Sequence, residues 1–135
     1  MSALKRILVV DDEPKILFVV RHALARLGEM CQVKTAANGR QALEMAQGAP
    51  FDLVVTDLRM PEMDGIALTE ALCSLDHAPA VIWMTAYHCS SQEADMERLG
   101  VCCCLDKPIE IGEIRRVVGE ALDLRKESRC RPTNT

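Results

Sequence analysis

The chain has 135 residues, 49% of them hydrophobic, and a formal net charge of −4. That is enough apolar material for the core of one ordinary domain, which excludes a disordered chain. The acidic balance excludes a general nucleic-acid binder, and no apolar run approaches the roughly 18 residues a membrane-spanning helix needs.

Met1 to Arg6 lack a signal-peptide pattern and lead straight into a strand, so a cytoplasmic protein is expected. Ile7-Leu8-Val9-Val10 is a short buried strand ending on Asp11-Asp12-Glu13. Pro14 is tolerated in a first helical turn, and Ile16, Leu17, Val19, Val20, Ala23, Leu24 and Leu27 follow at helical spacing up to Gly28. Cys31 to Ala36 holds a weaker, alternating strand. Asn38-Gly39 is a turn, and Ala42, Leu43 and Ala46 mark a short second helix. Leu53-Val54-Val55-Thr56 reads as a strand buried on both faces and stops at Asp57. A loop with Pro61 and Asp64-Gly65 leads to a third helix carrying Leu68, Ala71, Leu72 and Leu75. Ala80 to Met84 is a fourth strand, ending at Thr85. A mostly polar fourth helix spans about 89 to 99 and stops at Gly100. Val101 to Leu105 is a fifth strand, ending on Asp106-Lys107-Pro108, and a last helix carries Ile114, Val117, Val118, Ala121 and Leu122. Residues 1–124 are thus expected to form one domain, and 125–135 a polar, disordered tail.

Strands alternating with helices imply an α/β fold, a parallel sheet with helices on both faces. For five strands the expectation is the doubly wound, flavodoxin-like order 2-1-3-4-5, with the first and third strands adjacent. In such a sheet ligands bind at the carboxyl ends of the strands. Asp11, Asp12, Asp57, Thr85 and Lys107 all fall there. Taken singly, each has a plain structural use: an acidic helix start, a loop aspartate, a helix cap, a surface cation. Together they supply oxygen ligands suited to Mg²⁺, a carboxylate nucleophile, a hydroxyl and a positive charge, the parts that phosphoryl transfer requires.

The seven cysteines are odd in number and form no C-x-x-C pair, which argues against a disulfide framework. Cys102, Cys103 and Cys104 read as small apolar residues of a buried strand rather than a redox or metal patch. His22, His77 and His88 have no metal-ligand spacing with them.

Asp11-Asp12, Asp57 before Met60-Pro61 and Asp64-Gly65, Met84-Thr85-Ala86 and Lys107-Pro108 resemble the receiver domain of two-component response regulators over residues about 4 to 124. The wording around Asp57 and Thr85 is similar to receivers of nitrogen-regulation-type activators, and a stand-alone receiver is expected. The resemblance implies that Asp57 is the phosphoacceptor. Asp12, Asp57, the Arg59 carbonyl and, through water, Asp11 would bind Mg²⁺, and Thr85 and Lys107 would contact the phosphoryl group. It implies a cis Lys107–Pro108 peptide. It also implies a histidine kinase or histidine phosphotransfer protein as donor, and an output face built by the fourth helix, fifth strand and fifth helix. No direct nucleic-acid or membrane binding is expected. A phosphatase with an aspartate nucleophile would want a second Asp where Arg59 stands. In the family an aromatic residue normally stands three positions before the lysine; here it is Cys104. Switching must then use the loop from Ala86 to Ser91 and the fourth helix, or else the coupling is weak and the chain acts as a phosphate carrier. Trp83, two residues before Thr85, is expected to report on the site unless the core sequesters it.

Overall fold

The computed structural model describes residues 4–127. Five βα units follow one another: β1 (Lys5–Val10), α1 (Pro14–Ala25), β2 (Cys31–Ala36), α2 (Gly39–Gly48), β3 (Leu53–Asp57), α3 (Gly65–Cys73), β4 (Ala80–Thr85), α4 (Glu93–Leu99), β5 (Cys103–Asp106) and α5 (Ile111–Glu127). The strands form one parallel sheet in the order β2-β1-β3-β4-β5, the expected topology. All five residues of β3 are buried, as suits the middle strand of a sheet covered on both faces. Edge strand β2 instead alternates, leaving Gln32 and Lys34 exposed.

Alternation along the strands divides the core into two layers. Ile7, Val9, Val55, Ile82, Met84 and Leu105 face α1 and α5 through Val20, Leu24, Ile114 and Val118. Leu8, Val10, Val54, Val81 and Trp83 face α2 and α3 through Ala42, Leu68 and Leu72, with Met96 and Leu99 of α4 packed alongside. Local chemistry sets the helix starts. The Asn38 side chain accepts the Gln41 N–H at 2.8 Å, and the Asp64 side chain accepts the Ala67 N–H at 2.9 Å. Gly100, at φ 71°, closes α4 in the left-handed conformation that a residue without Cβ adopts freely.

Five expectations need correction. The segment before α4 is a 3-10 turn, Cys89–Gln92, because Ser91 bonds back to His88 through both its N–H and its hydroxyl. Helix α5 runs to Glu127, past the expected tail boundary, and residues 128–135 lie outside the described residues. Trp83 is fully buried, its indole N–H donating to Thr69 Oγ1 at 2.9 Å, so the core sequesters it. The cysteines do pair: Cys89 and Cys104 form a disulfide. The chain brings them together because the loop after β4 folds back over β5, where the Cys89 N–H donates to Asp106 Oδ1 at 3.0 Å. The expected buried run is also absent. Cys102 is exposed, and Cys103 and Cys104 are half-buried on opposite faces of β5.

Candidate functional site

Strands β1 and β3 are neighbours, and their carboxyl ends deliver Asp11 and Asp57 to one edge of the sheet. Asp11, Asp12 and Asp57 each offer a carboxylate oxygen, and these atoms all lie within 4.8 Å of one another. Asp11 is fully buried and Asp57 is 4% exposed, whereas Asp12 faces solvent. The β5–α5 connection, with its cis Lys107–Pro108 peptide, brings Lys107 across the sheet edge. Its ammonium lies 3.0 Å from Asp11 Oδ2 and 3.2 Å from Asp57 Oδ1. Thr85 closes the site from the end of β4. Its buried hydroxyl oxygen accepts the Tyr87 N–H at 2.9 Å, which leaves the hydroxyl proton free to donate.

Every sequence-identified group therefore sits at the same edge. Arg59 and Tyr87, two residues after Asp57 and Thr85, are expected from the sequence to flank the site, but their contact with each other and the close approach of Gly65 are not. The Arg59 guanidinium stacks over the Tyr87 ring at 4.4 Å, joining the loops after β3 and β4 above a cleft lined by Leu58, Asp64, Thr85 and Gln92. Gly65 packs against the backbone of Asp57 and Leu58 so closely that a Cβ would sit 2.9 Å from Leu58 Cα.

The electrostatics suit a cation site. Burial pushes the Asp57 carboxyl above its ordinary value, although the charge and hydrogen bond of Lys107 and the Arg59 N–H oppose this. Burial likewise raises Asp11 against the Glu13 N–H and Lys107. Burial alone would lower Lys107, but its hydrogen bond to Asp11 and the charges of Asp11 and Asp57 outweigh that and raise it. Three carboxylates facing one ammonium leave negative charge in excess. Oxygen donors gathered this closely fit a hard divalent cation.

A pH dependence follows. The folded chain holds the Asp11 and Asp57 protons more tightly than the unfolded chain does. These groups thus add stability below the ordinary carboxylate value of 3.8 and lose it as pH rises through their raised values. In metal-free buffer, Asp57→Asn should therefore be more stable than the native chain near neutral pH. The advantage should shrink toward about pH 4, where the native carboxyl regains its proton. Urea titrations across that range check the sign. An advantage that grows on acidification contradicts it.

The chain matches the family model described as response regulator receiver domain over residues 7–119. It is 36% identical over 124 residues to Regulatory protein AtoC of Escherichia coli (strain K12), covering 92% of this chain and 26% of that protein. It is 35% identical over 121 residues to Sporulation initiation phosphotransferase F of Bacillus subtilis (strain 168), covering 90% of this chain and 96% of that one. Among solved structures, a CheY-like response regulator receiver domain protein from Methanospirillum hungatei JF-1 superposes with a TM-score of 0.85 at 27% identity, over 93% of this chain and 99% of that chain. The chain thus spans about a quarter of AtoC and nearly all of the Bacillus phosphotransferase.

Proposed function

Because the chain belongs to the response regulator receiver domain family of two-component systems, we propose that Asp57 accepts a phosphoryl group from the phosphohistidine of a sensor kinase or a histidine phosphotransfer protein. The observation that carries this reading is the convergence of Asp57 with Asp11, Asp12 and Lys107 at one sheet edge. The Asp57 carboxylate attacks phosphorus, an O–P bond forms, and the N–P bond to the donor imidazole breaks with its electron pair going to nitrogen. Lys107 holds Asp57 in place through its second contact with Asp11 and supplies positive charge for the phosphoryl oxygens. Thr85 donates its hydroxyl proton to one of them. Asp11, Asp12, Asp57 and the Arg59 carbonyl would hold Mg²⁺. When bound, the ion neutralises the charge that the carboxylates and phosphoryl oxygens bring together.

The chain catalyses only its own phosphorylation and dephosphorylation on this reading. Its output is an altered partner affinity of the face made by α4, β5 and α5. Phe18, which the sequence reading passed over, is 70% exposed on α1 and offers apolar surface to a phosphodonor protein. No helix among the described residues is long and apolar enough to cross a membrane.

Incubation with acetyl phosphate tests the reading by intact mass. One phosphate is expected with Mg²⁺ and none after chelation. No uptake would leave the fold as a protein-interaction module instead, and uptake indifferent to Mg²⁺ would remove the metal from the reaction.

The Arg59–Tyr87 stack bears on how long the acyl phosphate lasts. Both side chains line the same cleft as Thr85, and on this reading their bulk hinders water from approaching in line with the O–P bond. Replacing them together, Arg59→Asn with Tyr87→Glu, should speed hydrolysis by a factor on the order of ten, about 1.4 kcal/mol of barrier. The decay of the phosphorylated mass with time measures it. An unchanged lifetime refutes the shielding role.

A further inference from the structure

The Cys89–Cys104 bridge occupies a position that the phosphorylation chemistry does not use. Cys104 stands on β5 in register with Trp83, where the family's aromatic residue would be. Cys89 opens the 3-10 turn after β4. Their Cα atoms are 5.8 Å apart, and they are separated by 15 positions in sequence. The ring so closed contains the whole 3-10 turn and the whole of α4.

That segment is the least anchored in the fold. None of the seven residues of α4 is fully buried. Besides the packing of Met96 and Leu99, α4 reaches α3 through the Cys73 thiol, which donates to the Leu99 carbonyl at 3.7 Å, and through the Arg98–Glu70 pair at 3.2 Å, whose two side chains are half exposed and weakly stabilising. Its one covalent tie to the sheet is the bridge. Both cysteines are only half-buried, so small oxidants and reductants can reach the sulfurs. The tie begins four residues after Thr85, at the far end of the loop that a phosphoryl group contacting Thr85 would have to move.

We propose that Cys89 and Cys104 are a reversible redox site, and that their disulfide locks the β4–α4 segment against the movement that follows phosphorylation. In the dithiol form the segment follows Thr85; in the disulfide form Cys89 cannot leave β5. The oxidant class is a hydroperoxide. One thiolate attacks an oxygen of hydrogen peroxide and breaks the O–O bond, giving a sulfenic acid and a hydroxide, which takes up the proton released on thiol ionisation to become water. The second thiol then attacks that sulfur and expels another water. The two sulfurs together lose two electrons, and the peroxide gains two. A dithiol reductant returns both electrons and both protons through a mixed disulfide. The signalling half of the proposal rests on Asp57 as phosphoacceptor; the redox half does not.

The test uses the full chain, fully reduced with dithiothreitol or oxidised with hydrogen peroxide. Alkylation and peptide mapping should find Cys89 and Cys104 joined after oxidation and both alkylated after reduction. A disulfide quenches a neighbouring indole, so reduction should raise Trp83 emission in the native chain and in Cys73→Ser, but not in Cys89→Ser. Intact mass then confirms acetyl phosphate labelling in both redox forms. Amide exchange over residues 86–99 should change on phosphorylation in the reduced chain, and that change should be lost in the oxidised chain. It should persist under peroxide in Cys89→Ser. A different bridge, thiols that stay alkylatable after peroxide, or an equal exchange response in both forms overturns the proposal. Missing phosphate in both forms would instead indict the assignment of Asp57 and leave the bridge-mapping result standing.

Discussion

Asp57→Asn should take up no phosphate from acetyl phosphate under conditions in which the native chain takes up one. The substitution keeps the size and hydrogen-bonding shape of the side chain, so the fold around it survives. What it removes is the reacting group, because an amide nitrogen shares its lone pair with the carbonyl and does not attack phosphorus. Other carboxylates are no substitute. Asp11 is fully buried and held by both the Glu13 N–H at 2.9 Å and Lys107 at 3.0 Å. Asp12 lies outside the reach of the Lys107 hydrogen bonds among the described residues. The expected loss is therefore complete rather than partial, and intact-mass spectra of the two proteins side by side show it. Equal labelling of both would remove Asp57 from the account.

Gly65→Ala should damage both the fold and the site. The added methyl would lie 2.9 Å from Leu58 Cα and 3.0 Å from Leu58 Cδ2, and closer still to the Asp57 carbonyl. Backbone on one side and a buried side chain on the other leave no direction in which to relax. The Gly65 N–H also donates to the Leu58 carbonyl at 3.0 Å, which fixes the loop's return onto β3. Overpacking of this kind costs about 3 kcal/mol, which for a domain of this size is roughly 10 °C in melting temperature. Because the clash falls on Asp57 itself, phosphate uptake should fall as well, even below the melting transition. Thermal melts together with acetyl phosphate labelling separate the two effects. A variant that melts within about 2 °C of the native chain would show that the close approach is not needed.

The sheet and most of the candidate site were legible because the candidate side chains stand just after apolar runs. Val10, Thr56, Met84 and Leu105 are buried strand residues, and Asp11, Asp57, Thr85 and Lys107 stand at or just beyond the ends of those strands. A run of buried residues broken by a polar one marks a strand end in one dimension. A parallel sheet then turns four such marks into one site. What was not legible depends on paths taken between elements. The Cys89–Cys104 bridge joins a loop to a strand across a helix, and no spacing rule points to it. The Arg59–Tyr87 stack links two loops from different strand ends. The orientation of Trp83 follows from its alternation with Ile82 and Met84, which directs it into the layer beneath α3, onto the Thr69 hydroxyl. Gly65 reads as half of an Asp-Gly turn, and only the folded chain shows the backbone it must clear.

The central claim is that the acyl phosphate forms on Asp57, and chemical trapping addresses it most directly. Borohydride reduces an aspartyl phosphate to homoserine, leaving a permanent mark at the residue that carried the phosphate. The native chain, treated with acetyl phosphate and Mg²⁺, trapped and sequenced by tandem mass spectrometry, should carry homoserine at position 57 and aspartate at positions 11, 12, 52 and 64. Homoserine at any of those four positions, or at none while the intact mass shows a phosphate, would contradict the account.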